Sequence, residues 1–314
     1  MGGDTTPAVA VVVLDWDGGE ESLAALASVA ETAPAARLIF VDNASRVPVL
    51  AEVRARFPAA LVIENTNNLG YAGGNNAGLA AARAAGCTRA LVLNNDATLE
   101  PGALDVLLGV AAANPHVAIV GARILDARAP TTLAMAWGEV NWRQSLVGLP
   151  GRGGPDGPRW AVERDVDWVS GCALLLCLDR LDEVGLFDET FFAYHEEVDL
   201  CARARKAGLR VVYAGAARVR HRGEGSSGGG YVSRKQYFVG RNMVRFVRRH
   251  ADLRQALQFW MFFLGTIPLQ WLRRLASGES HGVVLKMRGA WDTLAGRPLP
   301  RRMLDLDHRR EDGS

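Results

Sequence analysis

The sequence predicts an α/β fold, a doubly wound and mostly parallel sheet followed by a helical C-terminal extension. Three observations carry this. Apolar, β-branched runs such as "AVAVVVLDW" (8–16) and "VAIVGARIL" (117–125) show no alternation, as expected of strands covered on both faces. Helical stretches of about 10–15 residues separate such runs, a spacing that calls for parallel strands with crossover helices. The 314 residues are 49% apolar and 22% charged, enough to bury a large core.

The elements run in order along the chain. After the first strand, "EESLAALASVAETAP" has apolar residues at helical spacing and Pro34 as its stop. "RLIFVDNAS" reads as a strand, "VPVLAEVRARFP" as a helix and "ALVIENTNN" as a strand. "NNAGLAAARAAG" is an alanine-rich helix closed by Gly86. "RALVLNND" is a strand, and "EPGALDVLLGVAAANP" a helix directly behind it with Pro101 in its first turn, where a missing N–H is harmless. Beyond the strand at 117–125, residues 148–159 are rich in Gly and Pro and read as an irregular connection. "VDWVSGCALLLCL" (strand), "LDRLDEVG" (short helix), "EEVDLCARARKAG" (helix) and "LRVVYAG" (strand) complete a domain spanning 1–230, which ends in the glycine tract "GEGSSGGG" (223–230). Residues 231–314 form a basic, helical extension.

Charge is unevenly spread. From Tyr231 onward 16 Lys/Arg stand against 7 Asp/Glu, a net +9; the whole chain carries +2, so the remainder is −7. That asymmetry points to an anionic surface as partner. The apolar run Ala256 to Leu272 covers 17 residues, short of the roughly 20 that a membrane span needs. Its aromatics, with Arg248, Arg249, Arg254, Arg273 and Arg274 around them, fit a helix lying in the interface of an anionic membrane. A helix packed on protein, or a homodimer contact, is the rival reading. No nucleic-acid motif accompanies the basic residues, so nucleic acid is not an expected partner. The four cysteines form no CxxC pair and read as buried thiols in a reducing compartment. "MGGDTTPAVA" lacks the marks of a signal peptide, so the expected location is the cytoplasm, peripherally on the inner face of the cell membrane.

In an open parallel sheet, ligands bind beyond the carboxyl ends of the strands. Asp15 and Asp17 come after the first strand, Asp42 and Asn43 after the second, and Asn94-Asn95-Asp96 after the fourth. A single strand-end carboxylate is as often a turn former or helix cap as a ligand residue; three such ends on one edge favour a site. The turn "LDWDGGEES" lacks the glycine pattern of a dinucleotide fingerprint, the glycines of "NLGYAGGNN" are wrongly spaced for one, and no G-x-x-x-x-G-K-[ST] loop occurs. In "FDETFFAYHEEVDLCARARKAG", Glu196, Glu197 and Asp199 open a helix, where its dipole favours acids. The aromatic residues just before them suggest a partly dry pocket, in which a carboxylate becomes a usable base near neutral pH. His221 ends a strand ahead of the glycine tract.

Taken in order, "VVVLDW", "FVDNAS", "NTNNLGYAGGNNAGL", "LVLNNDATLEPG", "VDWVSGCALLL", "FDETFFAYHEEVDLCARARKAG" and "VRH" resemble the family 2 inverting glycosyltransferases of GT-A fold, in particular their bacterial rhamnosyltransferase-like branch. The resemblance covers residues 8 to about 250. It implies that Asp96 ligates Mg²⁺ or Mn²⁺ holding a nucleotide-diphosphate sugar, with His221 and Asn94 completing the metal site. It implies nucleobase or donor contacts for Asp42, Asp15, Asp17, Asn68, Gly70, Asn75 and Asn95, with Trp168 and Gly171 lining the sugar or acceptor pocket. The glycines of "NLGYAGGNN" would let backbone approach the nucleotide. Glu196-Glu197 falls on the family's Glu-Asp pair, whose second acid is the general base; Glu197 takes that role here, one methylene longer than Asp. The implied activity is transfer of rhamnose from dTDP-rhamnose to a glycan or lipid-linked acceptor in cell-surface polysaccharide assembly. The alternatives are a sugar-nucleotide-binding scaffold with impaired catalysis and, less favoured by the acidic first turn, a nucleotidyltransferase.

Overall fold

The computed structural model describes residues 9–143, 146–223, 234–300 and 303. The expected glycine tract lies, beyond Gly223, outside them. In chain order the first half runs β1 (Val9–Asp15), α1 (Glu20–Thr32), β2 (Arg37–Asp42), α2 (Leu50–Arg56), β3 (Leu61–Glu64), α3 (Gly70–Ala84), β4 (Arg89–Asn94), β5 (Ala97–Leu99), α4 (Ala103–Ala113) and β6 (Val117–Asp126). Then come β7 (Leu133–Met135), β8 (Glu139–Asn141), β9 (Leu146–Gly148), β10 (Glu163–Asp165), β11 (Ala173–Cys177), α5 (Glu196–Lys206) and β12 (Arg210–His221). The C-terminal helices are α6 (Lys235–His250), α7 (Leu253–Ala276) and α8 (Ser280–Leu294).

The main sheet has the order β10-β12-β6-β11-β4-β1-β2-β3, with β5 added beside β12 and β7 beside β6. β4, β1, β2 and β3 are mutually parallel, and β6 is parallel to β12; β11 lies antiparallel between β4 and β6. The expected doubly wound, mostly parallel sheet is therefore present. Its core arises from the unbroken apolar runs: Ala10, Val11, Val12 and Val13 of β1 and Leu91 and Leu93 of β4 have no exposed surface. A strand covered on both faces can use β-branched and apolar residues at every position.

The structure corrects several local readings. The stretch 97–102 is not the start of a helix: β5 intervenes, Gly102 caps α4 at φ 76°, and Pro101 sits in the turn before it. The strand read at 166–178 is confined to Ala173–Cys177. Strands β7 to β10 are only three residues each, too short to show a period. Helix α3 starts at Gly70, five residues before the expected "NNAGL" start, so the glycine-rich "GYAGG" is helix rather than loop.

The chain divides into two compact units, one containing the main sheet (9–140, 147–192 and 196–223) and the other 141–146, 193–195 and the C-terminal helices. Within the second unit, α6 and α8 meet backbone to backbone. A Cβ on Gly240 would lie 1.9 Å from the Lys286 carbonyl oxygen, and one on Gly289 2.0 Å from that of Tyr237. Asp252 and Gln255 form a reciprocal capping box at the start of α7. Among the described residues no helix is long and apolar enough to cross a membrane.

Candidate active site

The strand ends singled out by sequence lie on one edge of the sheet. β1, β2, β4 and β12 point the same way, and Asp15 is registered opposite Asp42, Leu14 opposite Asn94. The turn beyond β4 sets the centre of the site. The chain reverses at Asn95-Asp96 and returns as β5, antiparallel to β12, with Ala97 opposite His221. This reversal brings Asp96 Oδ1 to 3.0 Å from His221 Nε2, while the Asn94 amide lies 3.5 Å from the same nitrogen. The Asp96 carbonyl also accepts a hydrogen bond from Arg222 N–H at 3.0 Å. Asp96 is buried and His221 half-buried.

Oxygen and imidazole nitrogen donors of this kind suit Mg²⁺ or Mn²⁺. Among the described residues no group of three His, Cys, Asp or Glu side chains is poised around a metal. Asp96 and His221 supply two such donors at the strand edge.

Asp15 departs from expectation. It is wholly buried, and its Oδ1 accepts from Gly18 N–H (2.9 Å), the Ser22 hydroxyl (2.5 Å) and the Asn95 amide (2.9 Å). Its Oδ2 accepts from the Ser45 hydroxyl at 3.2 Å. With no surface and four donors on it, Asp15 ties three loops of the strand edge together and offers no face to a nucleotide. Asn95 shares that network, donating also to Ser22 at 3.2 Å. Asp17 accepts from Arg46 N–H and Nε at 2.6 and 2.7 Å, and its own N–H donates to Ser45. Asp42 accepts from Ser45 N–H, and burial raises its pKa above the usual carboxylate value against that hydrogen bond.

A second network turns on Asn43, which stands out in the sequence at the end of β2 but without an expected role. Its amide donates to Asn68 Oδ1 and the Gly70 carbonyl, and its oxygen accepts from Asn65 and from Leu69 N–H. Asn68 in turn accepts from Gly70 N–H at 2.8 Å. The chain entering α3 is fixed by these amides. Asn75 is also buried, donating to the Tyr71 carbonyl.

The glycines of "NLGYAGGNNAG" serve packing. Gly70 has φ 72°, and a Cβ there would lie 2.4 Å from the Phe192 carbonyl oxygen. Gly74 and Gly78 would collide with Leu14 and Val12 of β1 at 2.4 and 2.3 Å. These missing side chains make room for neighbouring protein. Trp168 is corrected on similar grounds: only 4% exposed, its indole lies over Gly138, whose Cβ would fall 1.8 Å from the ring. It has no ring face to offer a sugar. Gly171 is buried, and the Tyr71 hydroxyl donates to its carbonyl at 2.6 Å.

Tyr71, in the first turn of α3, carries no signal in the sequence. Burial, then the charges of Glu196 and Glu197, push its pKa well above the ordinary tyrosine value. Glu196, Glu197 and Asp199 do open α5 as expected. Glu196 is buried, and burial followed by the neighbouring Glu197 charge raises its pKa well above the carboxylate range. Glu197 is half-buried, and its Oε2 has no exposed surface. Asp199 is fully buried and pairs with Arg203 at 2.7 Å, whose guanidinium also donates to the carbonyls of Val184 and Leu186.

An acid paired with an imidazole at one strand edge, and two acids opening a helix, are the groups this chain offers for chemistry. Residues 7–237 match the family described as glycosyltransferase like family 2. The chain belongs to that family. This glycosyltransferase is 31% identical over 247 residues to an N-acetylglucosaminyl-diphospho-decaprenol L-rhamnosyltransferase of Mycobacterium tuberculosis, covering 72% of this chain and 78% of the relative. Among solved structures it is similar to the mannosyltransferase PcManGT of Pyrobaculum calidifontis in complex with GDP-Man and Mn²⁺, with TM-score 0.57, 14% identity, and coverage of 92% of this chain and 87% of that one. It is also similar to GalNAc-T7 with UDP, GalNAc and Mn²⁺ (TM-score 0.55, 14% identity), covering 83% of this chain and 56% of that longer one. The fold is GT-A, and the chain is a glycosyltransferase.

Proposed function

We propose that this enzyme transfers rhamnose from dTDP-rhamnose, with inversion, to a hydroxyl of a lipid-linked glycan acceptor. The observation that carries the metal-dependent donor site is the Asp96–His221 approach of 3.0 Å at the carboxyl edge of the sheet. The choice of rhamnose and of a lipid diphosphate acceptor is supported by the likeness to the mycobacterial rhamnosyltransferase. Asp96 and His221 would hold Mg²⁺ or Mn²⁺, with Asn94 alongside; the ion would offset the charge that develops on the departing diphosphate. Glu197 removes the proton from the acceptor hydroxyl. The freed oxygen attacks the anomeric carbon from the face opposite the diphosphate, the C–O bond to the diphosphate breaks, and the nucleoside diphosphate leaves. Glu197 is less buried than Glu196, which supports it as the base.

The exposed side of α7 supports action at an anionic membrane surface. Leu253, Leu257, Met261, Leu264, Trp271 and Leu275 recur at helical spacing along one stripe, each at least 40% exposed. Between residues 234 and 300 there are 12 Lys/Arg against 3 Asp/Glu, the charge that anionic headgroups attract. The catalytic unit at 1–230 and the extension at 231–314 then divide chemistry from surface attachment.

A donor panel (dTDP-rhamnose, UDP-glucose, UDP-galactose, GDP-mannose) read by nucleoside diphosphate release tests the reading. Release from dTDP-rhamnose with Mn²⁺, abolished by EDTA, by Asp96→Ala and by Glu197→Gln, is expected. Donor binding without release from any donor, with lipid extract as acceptor, would make the protein a scaffold.

A further inference from the structure

The acid pair at the start of α5 is reached through strained chain. Phe192, Tyr194 and His195, directly before Glu196, have φ values of 62°, 69° and 72°. Non-glycine residues avoid positive φ, and a run of them persists where its surroundings enforce it. Within the sheet unit, helix α3 supplies part of that enforcement. The Ala72 N–H donates to the Phe192 carbonyl at 3.1 Å, and Gly70 leaves the room that Phe192 fills.

A firmer grip falls on one peptide group just upstream, between Leu186 and Phe187. Its N–H, that of Phe187, donates to Asn76 Oδ1 of α3 at 3.2 Å. Its carbonyl, that of Leu186, accepts from Arg203 of α5 at 2.6 Å. Asn76 also donates to the Phe187 carbonyl at 2.9 Å and to Glu189 Oε1 at 3.0 Å. One side-chain amide thus satisfies both backbone groups of Phe187, as a neighbouring strand would. The Phe187 ring is buried and meets the Tyr71 ring edge-on, with centroids 5.8 Å apart. On the α5 side, Arg203 also donates to the Val184 carbonyl at 2.6 Å and is held by fully buried Asp199 at 2.7 Å. A path of hydrogen bonds therefore joins α3 to α5 through the Leu186–Phe187 peptide. The start of α3 is itself fixed to the strand edge by Asn43 and Asn68.

We infer that Asn76 is a positioning residue: through the Leu186–Phe187 peptide and Arg203, it sets where the first turn of α5, with Glu197, stands relative to the strand edge. The catalytic consequence rests on the transfer reaction proposed above; the mechanical link does not. A base displaced by about 1 Å from its acceptor costs about 100-fold in rate, so a link of this kind governs turnover without touching substrate.

Asn76→Asp tests it with almost no change of shape. Oδ1 still accepts from the Phe187 N–H, but both donations are lost, and a carboxylate faces the Phe187 carbonyl and the Glu189 carboxylate. Asn76→Ala, which adds no charge, should act in the same direction. Glu189→Ala is the control, since it removes the outer bond and leaves the grip on Phe187 intact. Hydrogen exchange on the full-length protein needs neither donor nor acceptor. Amides of residues 187–192 and of the first two turns of α5 should exchange about tenfold faster in both Asn76 variants, with β1 and β4 unchanged and Glu189→Ala like the parent. In turnover of dTDP-rhamnose with Mn²⁺ and lipid extract, kcat should fall about 10–100-fold while dTDP affinity stays within about twofold. Unchanged exchange in α5 overturns the inference, as does faster exchange with kcat intact. Faster exchange across the whole sheet unit, with nucleotide affinity lost alongside kcat, also overturns it, because Asn76 is then a general stability residue. A parent that transfers from no donor defeats the transferase reading, and the exchange result then decides the mechanical link by itself.

Discussion

Replacing Asp15 separates a scaffold residue from a ligand residue. In Asp15→Ala the N–H of Gly18, the hydroxyls of Ser22 and Ser45 and the amide of Asn95 all lose their shared acceptor. Ser22 and the aspartate are fully buried, so water replaces the acceptor poorly. Hydrogen bonds to a charged group contribute about 1.5–3 kcal/mol each, and bonds sharing one carboxylate do not add, so the expected loss is about 3–5 kcal/mol. With a urea m-value of about 3 kcal/mol/M, the unfolding midpoint falls by about 1–1.7 M. Asp15→Asn keeps Oδ1 for its three donors and turns an amide toward Ser45, whose hydroxyl can accept; its loss is expected at about 1–2 kcal/mol. The assay is urea unfolding of both variants beside titration with dTDP, UDP and GDP. A midpoint unchanged in Asp15→Ala, with nucleotide affinity lost, would refute the reasoning and return Asp15 to the ligand.

Three further outcomes are expected. Because Glu196 has a raised pKa, folding favours its protonated form; the enzyme gains stability as pH falls through that raised value and is penalised above it. Glu196→Gln should therefore be more stable than the parent at about pH 8, with the difference closing toward about pH 4–5, as read from urea midpoints; a less stable variant at the higher pH contradicts this. Gly70→Ala adds a Cβ 2.4 Å from the Phe192 carbonyl oxygen at φ 72°, and should cost about 2–5 kcal/mol from left-handed backbone and overpacking together; a change within about 0.5 kcal/mol in denaturation shows that the contact relaxes. His221→Ala should lower Mn²⁺-supported nucleotide affinity about 10–100-fold while leaving affinity in EDTA unchanged, and equal losses in both buffers would show that the imidazole acts on the nucleotide alone.

The sheet was legible because unbroken apolar runs have one explanation in a chain this size, and its carboxyl edge came with the parallel topology. The Asp96–His221 approach was only half legible. Both residues stand out at strand ends, but they meet through the three-residue β5, whose pairing with β12 no local pattern reveals. Roles failed where one residue type serves two physical ends. A strand-end aspartate can ligate or cap, and the donors around Asp15 come from residues 18, 22, 45 and 95, a convergence visible only in three dimensions. A glycine can admit a ligand or a neighbouring strand, and for Gly74 and Gly78 the neighbours are Leu14 and Val12. Tyr71 carried no signal of its own: its importance lies in the Gly171 carbonyl, 100 residues later in the chain.

The paired acids at the start of α5 show how sequence adjacency becomes a division of labour. Successive helical residues point about 100° apart, so one side chain can enter the core while the next stays at the surface. Glu196 enters, and burial together with the charge beside it raises its pKa. Glu197 is half-buried. Burial, and then the charge of its neighbour, both disfavour ionisation of Glu196. Environments that push two carboxylates apart in this way commonly assign them different roles. The additional methylene at position 197 extends the carboxylate away from the helix backbone by about 1.5 Å.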